Sequence, residues 1–316
     1  MKLFLGVDGG QSSTMAVIGD HTGRILGLGQ DGPCNHVKSA AEGREKFIRV
    51  IGGCIRTACE QAAIPATTNF EAACLGFSGG PADKQQILAS FLQTSNLNVT
   101  NDAIIALTGA HAGGPGVITI AGTGCISFAR NAVGKLTRAG GWGFMFGDEG
   151  GGFDLTRQAL RAALRHHEGW GPPTMLHDML LEATGCSDAN VLLHAFYTTD
   201  YPRPRIASFS KLVDQAANAG DQVALTLLNN AAQELATITA ASRGQLFQPG
   251  EPCRVSPIGG VFGSQILSQR FQMLAEFSDG VLVGQPLHGP AIGALLEAYK
   301  LAGLTVQLHN LPENEK

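Results

Sequence analysis

The feature that most constrains this chain is an internal repeat of a three-strand pattern. Residues 3–30, LFLGVDGGQSSTMAVIGDHTGRILGLGQ, contain an apolar strand, a turn of small residues, a second strand, a turn with glycine and a basic residue, and a third strand. Residues 116–141, GVITIAGTGCISFARNAVGKLTRAGG, repeat this plan, with Gly9 and Gly122 113 positions apart (122 − 9). The repeat predicts a tandem pair of related domains, although two unrelated meanders would share the same plan.

The segments after the first meander predict alternating helices and strands. This alternation indicates an α/β sheet with helical cover, and a length of 316 residues favours two domains. We expect an N-terminal domain over 1–114 and a C-terminal domain over 115–288, with a helix over 289–304 at or near the first. The expected elements are a helix at 40–63, a strand at 72–77, a helix at 83–94, a strand at 97–100, a helix from Asn101, helices over 152–246, then a strand and glycine turn at 251–264.

The charge and cysteine content exclude several classes of function. A net charge of −4, with scattered lysines and arginines, argues against a nucleic-acid partner and favours small-molecule chemistry. The apolar run before Asp8 is too short for a signal peptide or a membrane span, so we expect a cytoplasmic protein. The seven cysteines lack zinc-site spacing, and we expect reduced, mostly buried thiols.

The two small-residue turns are typical of phosphate binding. In Asp8-Gly9-Gly10-Gln11-Ser12-Ser13-Thr14 the glycines allow close backbone approach, the hydroxyl residues offer donors, and Asp8 ends a strand where magnesium could bind. The turn lacks the Gly-Lys-Ser/Thr of a Walker A loop, and it is followed by a strand where a dinucleotide fingerprint would open a helix. Gly122-Thr123-Gly124-Cys125 holds the equivalent place. Either turn alone could be a simple hairpin, but as a pair we expect them to grip one phosphate chain.

Polar residues also follow the predicted strands. Asp102 begins a predicted helix, where it could be an N-cap, a proton acceptor or both. Asn35 follows a Gly-Pro turn, and Ser78-Gly79 follows a buried strand. These strand ends are where open α/β sheets bind ligands.

A glycine cluster follows the second meander, since seven of the thirteen residues from Gly140 to Gly152 are glycine. Backbone amides without neighbouring side chains could bind a polyhydroxylated ligand, with Asp148 or Glu149 accepting from hydroxyls. Trp142 could lie against a sugar ring or belong to the core. The cluster could also be only a loop. We expect His166 and His167 at the surface, and Cys125 as a small filler because no base lies near it.

Together these motifs resemble the superfamily of acetate kinase, hexokinase, heat-shock cognate and actin. Within it they are most similar to the N-acetylglucosamine kinase and BadF/BadG/BcrA/BcrD ATPase-like branch. One departure is Gly151, where the pattern GGWGxxxGDEGS has serine. The motifs, in family order, are GVDGGQSST, NHV, GFSGG, TNDA, AGTGC, GGWGFMFGDEGG, AANAGD and IGGV.

This resemblance implies two duplicated ribonuclease-H-like (actin-like ATPase) domains that bind ATP and a sugar in a central cleft. Asp102 would be the catalytic base, and Asp8 would hold Mg²⁺, through water. Ser12 stands where the family often has threonine. The implied sugar contacts are Asn35, Ser78, Gly79, Gly141, Trp142, Gly143 and Asp148. The implied ATP contacts are Gly9, Gly10, Gln11, Ser12, Ser13, Thr14, Gly122, Thr123, Gly124, Ala217, Gly259 and Gly260.

The resemblance also implies an activity, phosphorylation of the 6-hydroxyl of an aminosugar, and a homodimer. N-acetylglucosamine leads because Ser78-Gly79 matches the position that recognises an N-acetyl group; glucosamine and N-acetylmuramic acid stay open. One alternative is an ATPase that activates a 2-hydroxyacyl-CoA dehydratase, which would carry a cluster-binding cysteine near the second turn. Another is a sugar-sensing repressor, which would need a helix-turn-helix ahead of Asp8 and a zinc cysteine cluster.

Overall fold

The chain folds as two compact units in a computed structural model that describes residues 1–10, 12–34, 40–78 and 84–311. The first unit comprises Met1–Gly114 together with Gln285–Lys316, and the second comprises Pro115–Gly284. Both are built on a five-stranded mixed sheet, so the predicted α/β class with two related domains is confirmed. None of the helices within the described ranges is long and apolar enough to cross a membrane.

The second unit ends at Gly284, before the predicted boundary at 288. The physical reason is backbone pairing within the first unit. The Leu287 N–H donates to the Ala110 carbonyl and the His288 N–H to the Gly109 carbonyl, both at 3.1 Å. These bonds attach the returning chain to the first unit before its last helix begins.

The first unit begins with the predicted antiparallel meander. The first strand of the meander is the middle strand of the five-stranded sheet, and it is buried from Leu3 to Val7. The strand order is β3-β2-β1-β4-β5, with β1 antiparallel to β2 and parallel to β4. The elements are β1 (Leu3–Gly9), β2 (Thr14–Asp20), β3 (Ile25–Asp31), α1 (Ala40–Gln61), β4 (Ala72–Phe77), α2 (Lys84–Ala89), β5 (Leu97–Asn101) and α3 (Asp102–Ala110).

The second unit repeats this sheet and inserts helices after its third strand. The order β10-β9-β6-β7-β8 places β6 between an antiparallel and a parallel neighbour, as β1 is placed in the first unit. The short strand β10 was not predicted. The elements are β6 (Gly116–Ala121), β7 (Cys125–Arg130), β8 (Leu136–Gly140), α4 (Gly152–His167), α5 (Leu176–Thr184), α6 (Ala189–Phe196), α7 (Arg203–Ser208), α8 (Ser210–Asn218), α9 (Gln222–Gly244), β9 (Cys253–Ile258), α10 (Gln265–Glu276) and β10 (Val281–Val283).

The last helix, α11 (Pro290–Leu301), packs in the first unit against β1 and α3. Close approach requires a glycine at each of these two contacts. A Cβ on Gly6 would lie 2.2 Å from the Leu295 nitrogen, and one on Gly293 would lie 1.9 Å from the Ile105 carbonyl oxygen. α11 therefore supports the strand that leads to Asp8 and the helix that begins at Asp102.

Candidate functional site

The turn between β1 and β2 is a tight hairpin with exposed hydroxyls. It closes through a 2.9 Å hydrogen bond from the Gly10 N–H to the Ser13 carbonyl. A Cβ on Gly9 would lie 2.3 Å from the Phe77 ring, so glycine is required there. Ser12 and Ser13 are exposed, and Asp8 is half-buried at the end of β1. The turn therefore presents donors at its surface beside a carboxylate.

Thr14 departs from its predicted role. Its side chain is completely buried, and its hydroxyl donates to the Gly32 carbonyl at 2.9 Å. A side chain in that state cannot contact a nucleotide, so we assign Thr14 a structural role at the start of β2. Gln11, Asn35 and Gly79, which were also predicted to contact ligands, lie outside the described residues.

The turn between β6 and β7 is shorter and is joined to a helix. The Gly122 N–H donates to the Gly124 carbonyl at 2.9 Å. The Gly152 and Phe153 N–H groups, in the first turn of α4, donate to the Gly122 and Thr123 carbonyls at 2.8 and 3.0 Å. Two backbone N–H groups at the start of α4, which have no acceptor within the helix, are thereby hydrogen-bonded, and these bonds fix α4 against the turn.

Cys125 lies under the same turn as a buried thiol. Its Sγ donates to the Glu149 carbonyl at 3.0 Å. Burial, reinforced by the negative charges of Asp148 and Glu149, raises the pKa of Cys125 to about 12. A thiol protonated at neutral pH is a poor nucleophile, which supports its assignment as a small filler.

The glycine cluster forms a loop whose backbone conformation favours glycine. Gly140, Gly141 and Gly143 have φ of 75°, 72° and 81°, a region that side chains rarely adopt. Trp142 between them is 64% exposed, so the alternative that it belongs to the core is wrong. The Arg138 guanidinium lies 4.7 Å from the centre of the Trp142 ring. The indole is therefore held at the surface, where it could contact a ligand.

Asp148, in contrast, points inward, toward the second turn. It is 7% exposed and has a φ of 66°, which is uncommon for a residue other than glycine. A Cβ on Gly124 would lie 2.2 Å from the Asp148 Oδ2, so the glycine leaves room for the carboxylate. A Cβ on Gly151 would lie 2.8 Å from the Gly124 Cα, which fits the glycine found there in place of serine. The loop thus delivers an acid to the second turn.

In the first unit, Ser78 and Asp102 are brought together across two strand ends. The Ser78 hydroxyl donates to the Asp102 Oδ2 at 2.7 Å. The N-cap of α3 is Asn101, whose side chain accepts from the Ile104 N–H at 2.8 Å, so the alternative that Asp102 is the cap is wrong. Because Asn101 supplies the cap, the Asp102 carboxylate is available for other chemistry.

The second unit also contains a cavity of about 290 Å³ between α8, α9 and the glycine turn after β9. Gly260, predicted to lie near adenosine, lines this cavity. Ala217, also predicted to lie near adenosine, is 4% exposed and packs in the core, so its side chain does not line this cavity. The cavity is lined instead by Lys211 and Asp214 of the same helix. The AANAGD motif marked this helix, but helical periodicity alone did not show which of its side chains reach the cavity.

Comparison with known proteins gives one consistent family. The model of the BadF/BadG/BcrA/BcrD ATPase family matches residues 5–298. An N-acetylmuramic acid/N-acetylglucosamine kinase of Clostridium acetobutylicum is 30% identical over 269 residues, covering 84% of this chain and 87% of that protein. An N-acetyl-D-glucosamine kinase of Dictyostelium discoideum is 32% identical over 248 residues, covering 74% and 77%.

A solved structure agrees with these sequence matches. A Chromobacterium violaceum protein, whose assignment as an N-acetylglucosamine kinase is itself provisional, superposes with a TM-score of 0.73. The two sequences are 26% identical, and the match covers 94% of this chain and 98% of that one. With the family match spanning both units, this chain belongs to the BadF/BadG/BcrA/BcrD ATPase family.

Proposed function

We propose that this protein is an ATP-dependent kinase that phosphorylates the 6-hydroxyl of an aminosugar, with N-acetylglucosamine the leading substrate. The observation that carries the proposal is the 2.7 Å hydrogen bond from Ser78 to Asp102, which joins a predicted sugar contact to the predicted base. The relatives described above, which are named as kinases of N-acetylglucosamine and N-acetylmuramic acid, support the same substrate class.

The proposed mechanism needs a carboxylate that orients an alcohol. A sugar hydroxyl is too weakly acidic to ionise in advance, so Asp102 would hold the 6-hydroxyl in line with the γ-phosphate and take its proton late. Ser78 donates to Oδ2, while Oδ1 accepts from the Ala103 N–H at 2.9 Å. These two bonds fix the carboxylate plane, and each oxygen keeps a further lone pair for the substrate.

Phosphate contacts would be made in the first unit by Gly9, Gly10, Ser12 and Ser13 of its hairpin turn, and in the second unit by Gly122, Thr123 and Gly124 of the corresponding turn. The half-buried carboxylate of Asp8, beside exposed hydroxyls, fits the oxygen ligands that Mg²⁺ prefers, with water between them. Mg²⁺ would neutralise charge on the phosphoryl oxygens.

The adenosine would occupy the cavity of about 290 Å³ beside Gly260, which is near the lower limit for small-molecule sites. In this assignment Lys211, Asp214 and Ser264 replace Ala217 as the residues that face the nucleoside. Ser264 donates its hydroxyl to the Asp214 carboxylate, so the two polar groups are already oriented in the absence of a ligand.

In the first unit the proposed sugar contacts are Asp102 and Ser78, and in the second unit they belong to the glycine loop. Gly141 and Gly143 would offer backbone groups, the exposed Trp142 would stack on the apolar face of the ring, and Asp148 would accept from hydroxyls. Asn35 and Gly79 stay in the proposed set on the strength of the family motifs.

A panel of sugars tests the proposal. N-acetylglucosamine, glucosamine, N-acetylmuramic acid and, as a control, glucose would be incubated with ATP and Mg²⁺, with ADP release followed by a coupled assay. We expect turnover with at least one aminosugar and a phosphate at carbon 6 by NMR of the product. Absence of turnover with all three aminosugars would contradict the kinase, and phosphate at another carbon would contradict the 6-hydroxyl.

The homodimer and the cytoplasmic location belong to the same proposal. Light scattering coupled to size-exclusion chromatography tests the first by the mass in solution, which we expect to be twice that of a 33.0 kDa chain. Fractionation of source cells tests the second.

A further inference from the structure

Arg203, the first residue of α7, approaches the buried carboxylate of the glycine loop. Its Nη2 lies 3.9 Å from the Asp148 Oδ2, and the two side chains are 44% and 9% exposed. Sequence reasoning did not identify Arg203, because it follows Asp148 by 55 positions (203 − 148) in a helical segment without a motif. The pair lies entirely within the second unit.

Two aromatic rings hold the guanidinium in place. Its central carbon lies 4.5 Å from the centre of the Phe144 ring and 5.9 Å from that of Phe153. The two rings meet edge to face, with their centres 5.2 Å apart. Since Phe144 belongs to the glycine loop and Phe153 to α4, cation–π contacts connect Arg203 to both sides of Asp148.

The second half of α7 packs on the first turns of α4, which holds this short helix in place. The Thr156 hydroxyl donates to the Ile206 carbonyl at 2.9 Å. A Cβ on Gly152 would lie 3.0 Å from the Ala207 carbonyl oxygen, so the glycine allows α7 to lie this close. The backbone that carries Arg203 is therefore positioned by the helix that follows the glycine loop.

The distance between the charges decides what Arg203 can do. At 3.9 Å the guanidinium is too far from Asp148 for a hydrogen bond, so it supplies charge without occupying a carboxylate lone pair. A carboxylate that is 9% exposed needs a compensating charge or donors. Within the described ranges Arg203 provides that charge, and the Asp148 oxygens keep their capacity to accept from a ligand.

We propose that Arg203 is a positioning residue for the aminosugar: held by Phe144 and Phe153, it fixes the Asp148 carboxylate beside Gly124 in the orientation that accepts sugar hydroxyls. This inference rests on the proposed function, in which Asp148 is a sugar contact. It predicts an effect on sugar affinity that passes through Asp148.

The first test compares Arg203→Gln with Arg203→Lys and with the matched control Arg205→Gln. Arg205 is on the same helix, stacks on Tyr201 at 4.1 Å and donates to the Asp200 carbonyl at 2.7 Å. We expect Arg203→Gln to raise the sugar KM about tenfold, equivalent to about 1.4 kcal/mol, and to leave the ATP KM unchanged. Arg203→Lys should recover part of the affinity because it keeps the charge but not the planar stacking. Arg205→Gln should behave as wild type.

A double-mutant cycle then separates positioning from a general structural role. Sugar affinity would be measured by calorimetry for wild type, Arg203→Gln, Asp148→Asn and the double variant, with melting temperatures as a folding check. If Arg203 acts through Asp148, its substitution changes affinity by less than about twofold in the Asp148→Asn background. Two independent, multiplying effects would overturn the inference, as would a wild-type sugar KM in Arg203→Gln.

The outcomes also separate this inference from the function on which it rests. A wild-type protein without turnover on any aminosugar overturns the proposed function. A wild-type protein that is active, with a sugar affinity that falls in Asp148→Asn but not in Arg203→Gln, overturns only the role of Arg203.

Discussion

The two units share a sheet and a hairpin but obtain their acidic residues in different ways. In the first unit, Asp8 is part of β1, and the repeat places Ala121 at the equivalent position of β6 (8 + 113). In the second unit the carboxylate beside the turn belongs to Asp148, which the glycine loop places next to Gly124. Duplication thus reproduced the backbone scaffold, while the chemistry at each turn depends on the residues added to it.

Both turns also cover a buried thiol. The Cys34 Sγ lies 2.9 Å from the place of a Cβ on Gly9, and Cys125 donates to the Glu149 carbonyl. Burial raises the pKa of both thiols. A small apolar filler under a glycine turn is therefore a shared feature of the scaffold, whereas the acid is not.

The largest expected effect concerns Asp102, the acid of the first unit that we assign to catalysis. Asp102→Asn keeps the acceptor for the Ser78 hydroxyl but removes the base. The kcat should therefore fall about 10²–10⁴-fold while sugar affinity changes little, as measured by coupled ADP release and calorimetry. Asp178→Asn, at an exposed carboxylate, is the control. Turnover close to wild type in Asp102→Asn would remove Asp102 from the mechanism.

The next prediction tests whether activity requires the space that Gly124 leaves for the Asp148 carboxylate. Gly124→Ala places a Cβ 2.2 Å from the Asp148 Oδ2, whereas a Cβ on Gly122 meets nothing within 4 Å. We expect Gly124→Ala to lower kcat/KM for the sugar about 100-fold, because small displacements of positioning groups are costly. Gly122→Ala is the matched control for the added methyl group: because Gly122 is a proposed phosphate contact, we expect it to change the KM for ATP and to leave kcat/KM for the sugar, measured at saturating ATP, near wild type. Equal losses in the two variants would contradict the proposed placement of Asp148.

A smaller effect separates structure from binding within the first turn. Thr14→Val should lower the free energy of unfolding by about 1–3 kcal/mol, because the Gly32 carbonyl loses its donor. Ser13→Ala, at an exposed residue, should leave the unfolding curve unchanged and raise the ATP KM. Denaturant titration and steady-state kinetics on both variants check this. If Thr14→Val is fully stable and binds ATP poorly, the original prediction of a nucleotide contact stands.

The smallest effect concerns the thiols under the turns. The fold raises the pKa of Cys125 from its ordinary value of 9.0 to about 12, so it favours the neutral thiol. The contribution of this pKa shift to the free energy of unfolding is complete below pH 9 and is lost as the pH rises toward 12. The melting temperature should therefore fall across that window. In Cys125→Ala this fall should be slightly smaller, with kcat within about twofold of wild type.

The same cysteine distinguishes the kinase from the dehydratase activator. Protein purified without oxygen should be colourless if the kinase proposal is right. A brown protein whose iron is lost together with its colour in Cys125→Ala would favour the activator.

Local sequence patterns predicted many of the individual strands and helices of the fold. The repeat placed β6 and β7 correctly because strand periodicity and glycine turns are properties of neighbouring residues. The same reasoning placed Ser78 at the end of a strand and Asp102 at the start of a helix. It left open whether Asp102 caps α3, because Asn and Asp are both good caps and only the backbone geometry at Asn101 distinguishes them.

The sequence by itself determined the duplicated meander, the two glycine turns, the glycine-rich loop and the family. These follow from residue types at fixed short spacing, which set backbone conformation locally. Only the tertiary structure decided that Thr14 is buried, that Trp142 is exposed, that Asp148 occupies the space beside Gly124 and that Arg203 lies next to it. Such contacts join residues far apart in the chain, and their distances depend on how helices and loops pack, which no local pattern specifies.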